Sequence, residues 1–244
     1  MDRLIYLSMA GAKATMQRQD VLAHNLANVS TAGFRAELQA FRAVPVLGDG
    51  ASTRVYALES TPGHSDEAGP MQTTGRALDV AMKGNAWLAV QALDGTEAYT
   101  RAGALELDPE GNLVTPGGLP VQGEGGPITV PAGATVDIAG DGTVTAKVGN
   151  AQPQQVGRLK LVSPEAALNR GADGLFRGAD GDLPGDPNAR LQAGALEGSN
   201  VSAVETMVAM IAAARQFEQQ MQSLKGAEQR DQAGQKLLGP SMGV

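Results

Sequence analysis

The hydrophobic period changes twice along the chain, and no other feature limits its architecture as much. Near the N-terminus Ile5, Met9, Ala12, Met16, Gln19, Ala23 and Leu26 stand alternately four and three residues apart, the spacing of a helix that packs against another helix. Toward the C-terminus Met207, Met210, Ala214, Phe217, Met221 and Leu224 repeat that spacing. In between, the period falls to two. Leu78, Val80 and Met82 alternate with other residues, and LDGTEAYTRAGALELDPEGNLVTPGG breaks into short apolar or β-branched runs cut by Asp-Gly, Glu-Gly-Asn and Pro-Gly-Gly turns, as hairpins do.

Both helical ends carry boundary signals. Asp2 can cap the first, and Gly33, just past the periodic run, suits the left-handed turn that closes a helix. Residues 3–28 as one helix would make a rod about 39 Å long. Ser202 and Glu205 have the spacing of a capping box at the start of the second helix. Past Leu224 its seam reaches Glu228 and Asp231, so the apolar signal fades there. Arg3 ahead of LIYLSM, with Ala10-Gly11-Ala12 beyond, has the look of a short secretion signal. The apolar spacing runs on through the cleavage point, so the segment reads as a retained helix.

The expected architecture is α+β: a mainly-β central domain of short antiparallel strands, sandwich or barrel-like, flanked by long N- and C-terminal α-helices that pack as a coiled-coil-like pair. The expected divisions are a helix in 1–34, an extended connection in 35–70, the β domain in 71–198, and a second helix and tail in 199–244. Of 244 residues, 32 are Gly and 13 Pro, while the aromatics are four Phe, three Tyr and one Trp. Many turns and few bulky anchors point to short strands around a modest core.

Whole classes of function drop out. The formal charge is −7, with no run of Lys and Arg to neutralise a row of phosphates, which argues against nucleic acid. Absence of cysteine removes disulfides, zinc-thiolate sites and thiol nucleophiles. No window approaches the roughly 20 apolar residues of a membrane span. No nucleophile elbow, phosphate loop or dinucleotide fingerprint is present. His24 falls within the first helix and His64 in a Pro-Gly loop, and neither is placed for catalysis. The adjacent repeats RGADGLF and RGADGDL put Asp173, Asp180 and Asp182 close together. Calcium could use such oxygens, but the spacing is not that of an EF-hand and Asp-Gly pairs form ordinary turns. No catalytic, cofactor-binding or metal-binding residues are assigned.

Three stretches remain. NLANVSTAGFRA (residues 25–36) closely resembles the N-terminal signature of bacterial flagellar rod and hook proteins. The stretch from TGRALDVAMKGNAW to GGLPVQG (74–123) is similar to the central β block of that family, and GALEGSNVSAVETMVAMIAAARQFEQQMQSLKGAEQ (194–229) to its C-terminal signature, with DGLFR (173–177) a further match. The opening MDRLIYLSMAGA and the total length are most similar to the proximal-rod members. Phe217-Glu218-Gln219-Gln220 departs from the usual Tyr-Glu-Ala-Asn.

The resemblance implies a structural subunit of the flagellar basal body. It implies export through the flagellar type III apparatus without a cleaved signal, polymerisation in the periplasm with copies of itself and with proximal and distal rod proteins, no nucleic-acid partner and no membrane span. The two seams would then be assembly surfaces. Asn25 and Asn28, three apart on one helical face, read from spacing alone equally as solvated residues or as hydrogen-bonding groups of an interface; the resemblance points to the interface. Thr31 and Gly33 would set the exit turn and Phe34 would anchor the chain. The alternatives are a distal-rod subunit and, from a different class, a periplasmic enzyme acting on cell-wall glycan.

Overall fold

A computed structural model describes residues 4–45, 55–59, 63–179 and 181–238. The chain divides into two compact units, one of Met1–Ala27, Glu37–Gly63 and Ser202–Val244, the other of Asn28–Ala36 and His64–Val201.

The second unit is built on a hairpin of strands Trp87–Gln91 and Glu97–Thr100, with Leu88 opposite Thr100 and Ala89 opposite Tyr99. Asp94 holds the turn, accepting from the Thr96 amide at 3.0 Å and its hydroxyl at 2.6 Å, a turn in which the side chain replaces a backbone acceptor. Leu161–Val162 adds to one edge, and Phe176–Arg177 then Asn169–Arg170 to the other. Both faces of this five-stranded sheet are covered. Leu88 and Val90 enter the main core with Leu105, Leu113 and Val121, while Trp87 and Ala89 enter a second with Tyr99, Leu168 and Phe176. Burial on both faces is why WLAV reads as a continuous apolar run.

The strands Ala134–Ile138, Thr143–Val148 and Gln154–Arg158 form a three-stranded antiparallel sheet. It keeps one face polar, and Val136, Ile138, Val144 and Ala146 alternate inward to the main core. The remaining sheets among the described residues have two strands each.

In the first unit, helix α1 spans Leu4–Ala27 and helix α2 spans Ala203–Leu238. Ser202 caps α2, its hydroxyl accepting from the Glu205 amide at 3.4 Å and its carbonyl from the Thr206 amide and hydroxyl at 3.0 and 2.8 Å. Gly11 of α1 lies against Gln220, so closely that a Cβ there would stand 3.0 Å from the side-chain amide carbon. Ser8, one turn earlier, shares a pocket with Gln222, Gly226 and Arg230. Earlier residues of α1 thus meet later residues of α2, and the helices run antiparallel. The stretch read as an extended connection carries a hairpin within this unit, Phe41–Pro45 with Val55–Glu59.

The expected fold class needs correcting. The strands form many small sheets, mostly of two strands, rather than one sandwich or barrel, and the described residues contain two helices that do not pack as a coiled coil. Coiled coils set large apolar knobs into the facing helix. Here the buried positions are small or polar: Ser8, Ala12 and Thr15 on α1, and Thr206, Ala213 and Ala227 on α2. Of the residues read as seams, Met9 and Met16 are 55% and 56% exposed and Met207 is 48% exposed. Small side chains let the two helices approach closely and leave the large ones outside, so the pair does not use the large seam residues as coiled-coil knobs.

Candidate assembly surface

The exposed faces of α1 and α2 carry large apolar side chains among charged ones such as Lys13 and Arg215. On α1 they carry Tyr6, Met9 and Met16; on α2 they carry Val204, Met207, Val208 and Ile211, at helical spacings of three and four. Ile211 is 56% exposed. Such stripes normally face a core, and contiguous exposed apolar surface marks an interaction site. Val204, Val208 and Ile211 escaped the sequence reading, although their spacing with Met207 is a cleaner stripe than the seam chosen.

Among the other seam residues, Ala12 is buried, Ala23 is exposed, and Leu26, Met210, Ala214, Phe217, Met221 and Leu224 are half-buried. The side chain of Ile5 lies outside the described residues. Asn25 is buried, and its amide works within the chain: Nδ2 donates to the Glu37 carbonyl at 2.9 Å and Oδ1 accepts from the Glu37 amide at 2.8 Å. Beside it, His24 Nδ1 meets the Glu37 carboxylate at 2.9 Å. Asn28 accepts from the Thr31 hydroxyl at 3.1 Å, and its carbonyl from the Thr31 amide at 3.1 Å.

Gly33, with φ of 68°, and Phe34 belong to the second unit, where the segment that follows α1 in sequence lies beside the residues that precede α2. Glu197 is the hub. Its carbonyl accepts from the Gly33 amide at 2.7 Å; its carboxylate accepts from Arg35 Nη2 at 2.9 Å, from Arg101 Nε at 2.8 Å and from the Gly69 amide at 3.0 Å. Arg101 also donates to the carbonyls of Gly84 and Met82 at 2.9 and 3.1 Å, and Arg35 to that of Glu67. Asn200 accepts from the Ala36 amide at 2.7 Å and donates to the Glu67 carbonyl at 2.9 Å. All three ionic side chains are buried. Burial pushes the Arg101 guanidinium down from its ordinary value against the opposing charge of Glu197. Around this hub Arg170 stacks 4.7 Å over Phe34, and Trp87 sits 4.6 Å from Phe176 and 5.8 Å below Arg101.

This arrangement braces a chain segment. Asp173, weighed above as a cation ligand, is held by Arg177 at 2.7 Å and by the Leu175 amide at 3.1 Å, and Asp180 lies outside the described residues. Among the described residues no three carboxylates or histidines gather as a metal would need.

A helix pair that exposes large apolar side chains, and a β unit braced by a buried ionic hub, are features of a structural, assembling protein. Comparison with known proteins narrows the class. The family described as flagella basal body rod protein matches residues 5–35, the flagellar hook protein FlgE/F/G D1 domain matches 81–146, and the flagellar basal body rod FlgEFG protein C-terminal family matches 192–237. The flagellar basal-body rod protein FlgF of Salmonella typhimurium is 47% identical, covering 99% of this chain and 100% of its own. FlgF of Caulobacter vibrioides is 30% identical over 98% and 99%, and FlgG of Agrobacterium fabrum is 31% identical over 93% and 96%. The chain belongs to the FlgF family of flagellar basal-body rod proteins. It is a structural component of the basal body and not an enzyme, and among its described residues no helix is long and apolar enough to cross a membrane.

Proposed function

We propose that this rod subunit assembles through the outward apolar faces of α1 and α2, with neighbours that are further copies of itself and other rod proteins, in the proximal part of the rod. The observation that carries this reading is the inversion of the helix pair, with Ser8, Ala12 and Ala213 inside and Met9, Met16, Met207 and Ile211 outside. Side chains of that size contribute about 1.5 to 3 kcal/mol each on full burial. A polymer that covers them gains what the free subunit forgoes. Head-to-tail contacts that do not close on themselves build a helical filament, and such a filament, packed through many subunits in the periplasm, transmits torque. Export through the flagellar type III apparatus fits a small-residue helix contact that can form late, after passage.

The test is Met207→Asp with Ile211→Asp. Both positions are exposed in the subunit, so the double variant should melt as the wild type does, be exported, and fail to enter the rod, leaving cells non-motile. A motile strain with normal basal bodies would remove the assembly role of this face.

A further inference from the structure

His64 stands beside the Glu197 hub and takes no part in the assembly reading. Its side chain is 8% exposed; Nε2 lies 3.1 Å from the Asp66 carboxylate, and the ring meets Phe176 edge-on with centroids 4.8 Å apart. The other charged groups that face it are the guanidiniums of Arg170 and Arg35. The next residues carry the contacts that dock residues 34–36: the Ser65 amide donates to the Ala36 carbonyl at 2.8 Å, and the Ser65 and Glu67 carbonyls accept from Asn200 at 3.3 and 2.9 Å.

We propose that His64 makes this docking acid-sensitive, so that a proton on its imidazole loosens residues 64–67 from residues 33–36. The buried cluster already holds Arg35 and Arg101 against the single carboxylate of Glu197, with Arg170 stacked alongside. Among the described residues, the carboxylate that faces a further cation there is Asp66, whose side chain is 81% exposed and therefore screened by water. Burial first, then Arg170 and Arg35, hold the imidazole below its ordinary value, and Asp66 pulls the other way. The sign follows. The unfolded chain binds this proton more readily than the folded one, so the docked state is unpenalised above about pH 6.5 and loses stability as the pH falls from there through the folded value. The proposal concerns the folded chain alone and does not depend on how the subunit packs.

The experiment is amide hydrogen exchange on the full chain between pH 7.5 and 5, corrected for intrinsic rates, with the His64 ring titration followed by NMR. The wild type should lose protection at Ser65 and Ala36 as His64 titrates, and His64→Gln should keep its neutral-pH protection down to pH 5. Asp66→Asn supplies a second arm in which the histidine remains: removal of its favourable charge should move the folded-state ring titration to lower pH and deepen the acid loss of protection, which still begins near pH 6.5. Protection that survives the wild-type titration, an equal acid loss in His64→Gln, or an acid loss no deeper in Asp66→Asn than in the wild type would each overturn the proposal.

Discussion

Arg101 and Glu197, 96 residues apart in sequence, meet at 2.8 Å with both side chains almost wholly buried. Arg35 reaches the same carboxylate from the opposite end of the chain. Glu197→Gln would keep the shape and leave two guanidiniums in the interior with no counter-charge. Breaking a buried pair in this way costs about 3 to 5 kcal/mol. Denaturant unfolding of the variant should show a loss of that order; a loss under about 1 kcal/mol would mean that the cluster does not hold the unit together.

Two glycines with similar backbones should respond differently to the same change. Gly33 and Gly75 have φ of 68° and 74°, but a Cβ at Gly33 would overlap the Arg101 backbone, whereas nothing lies within 4 Å of one at Gly75. Gly75→Ala should cost the strain of a left-handed residue, about 1 kcal/mol. Gly33→Ala adds a collision with main chain that cannot rotate away, so its melt should fall clearly further and motility should be lost. Equal melts for the two variants would show that Gly33 is needed only for its dihedral.

Ala213 is buried at 1% exposure in the contact between the helices. Ala213→Leu inserts a branched side chain where the helices meet through small residues, and overpacking of that kind costs about 1 to 3 kcal/mol. Hydrogen exchange should show faster amides in α1 and α2 and unchanged amides in the strand Trp87–Gln91. Unaltered helix protection would show that the contact tolerates a wider spacing.

Asn25→Ala separates two roles for one side chain. It removes both bonds to the Glu37 backbone, and unsatisfied partners of this kind cost about 1 to 3 kcal/mol. The Glu37 amide should exchange faster and the melt should fall. A normal melt combined with failed assembly would instead return Asn25 to an interface.

What could be read in the sequence divides along physical lines. The helices and the hairpins were legible because a period of three and four or of two is local, as were the turn at Gly33 and the cap at Ser202. Which helix face is inward was not. Met9, Met16 and Met207 look like core by size, and only the partner helix reveals that Ser8, Thr15 and Ala213 are buried along with Ala12. Arg35, Arg101 and Glu197 carried no signal at all, since each is an ordinary charged residue until the fold brings them together. Asn25 was singled out as an interface group; its bond within the chain, to Glu37 twelve residues on, carried no sequence signal.

The chain has no thiol for an oxidant to attack, yet the outward faces of its helices carry thioethers at Met9, Met16 and Met207. Peroxide would convert these to sulfoxides, replacing soft apolar side chains with polar ones, and would do so most readily while the faces are open to solvent. Neighbours seated on these faces, as proposed above, would shield the same sulfurs. On the proposed assembly, such a subunit would be most open to oxidation in the interval between folding and incorporation, and its finished polymer would be the form best protected from bleaching oxidants.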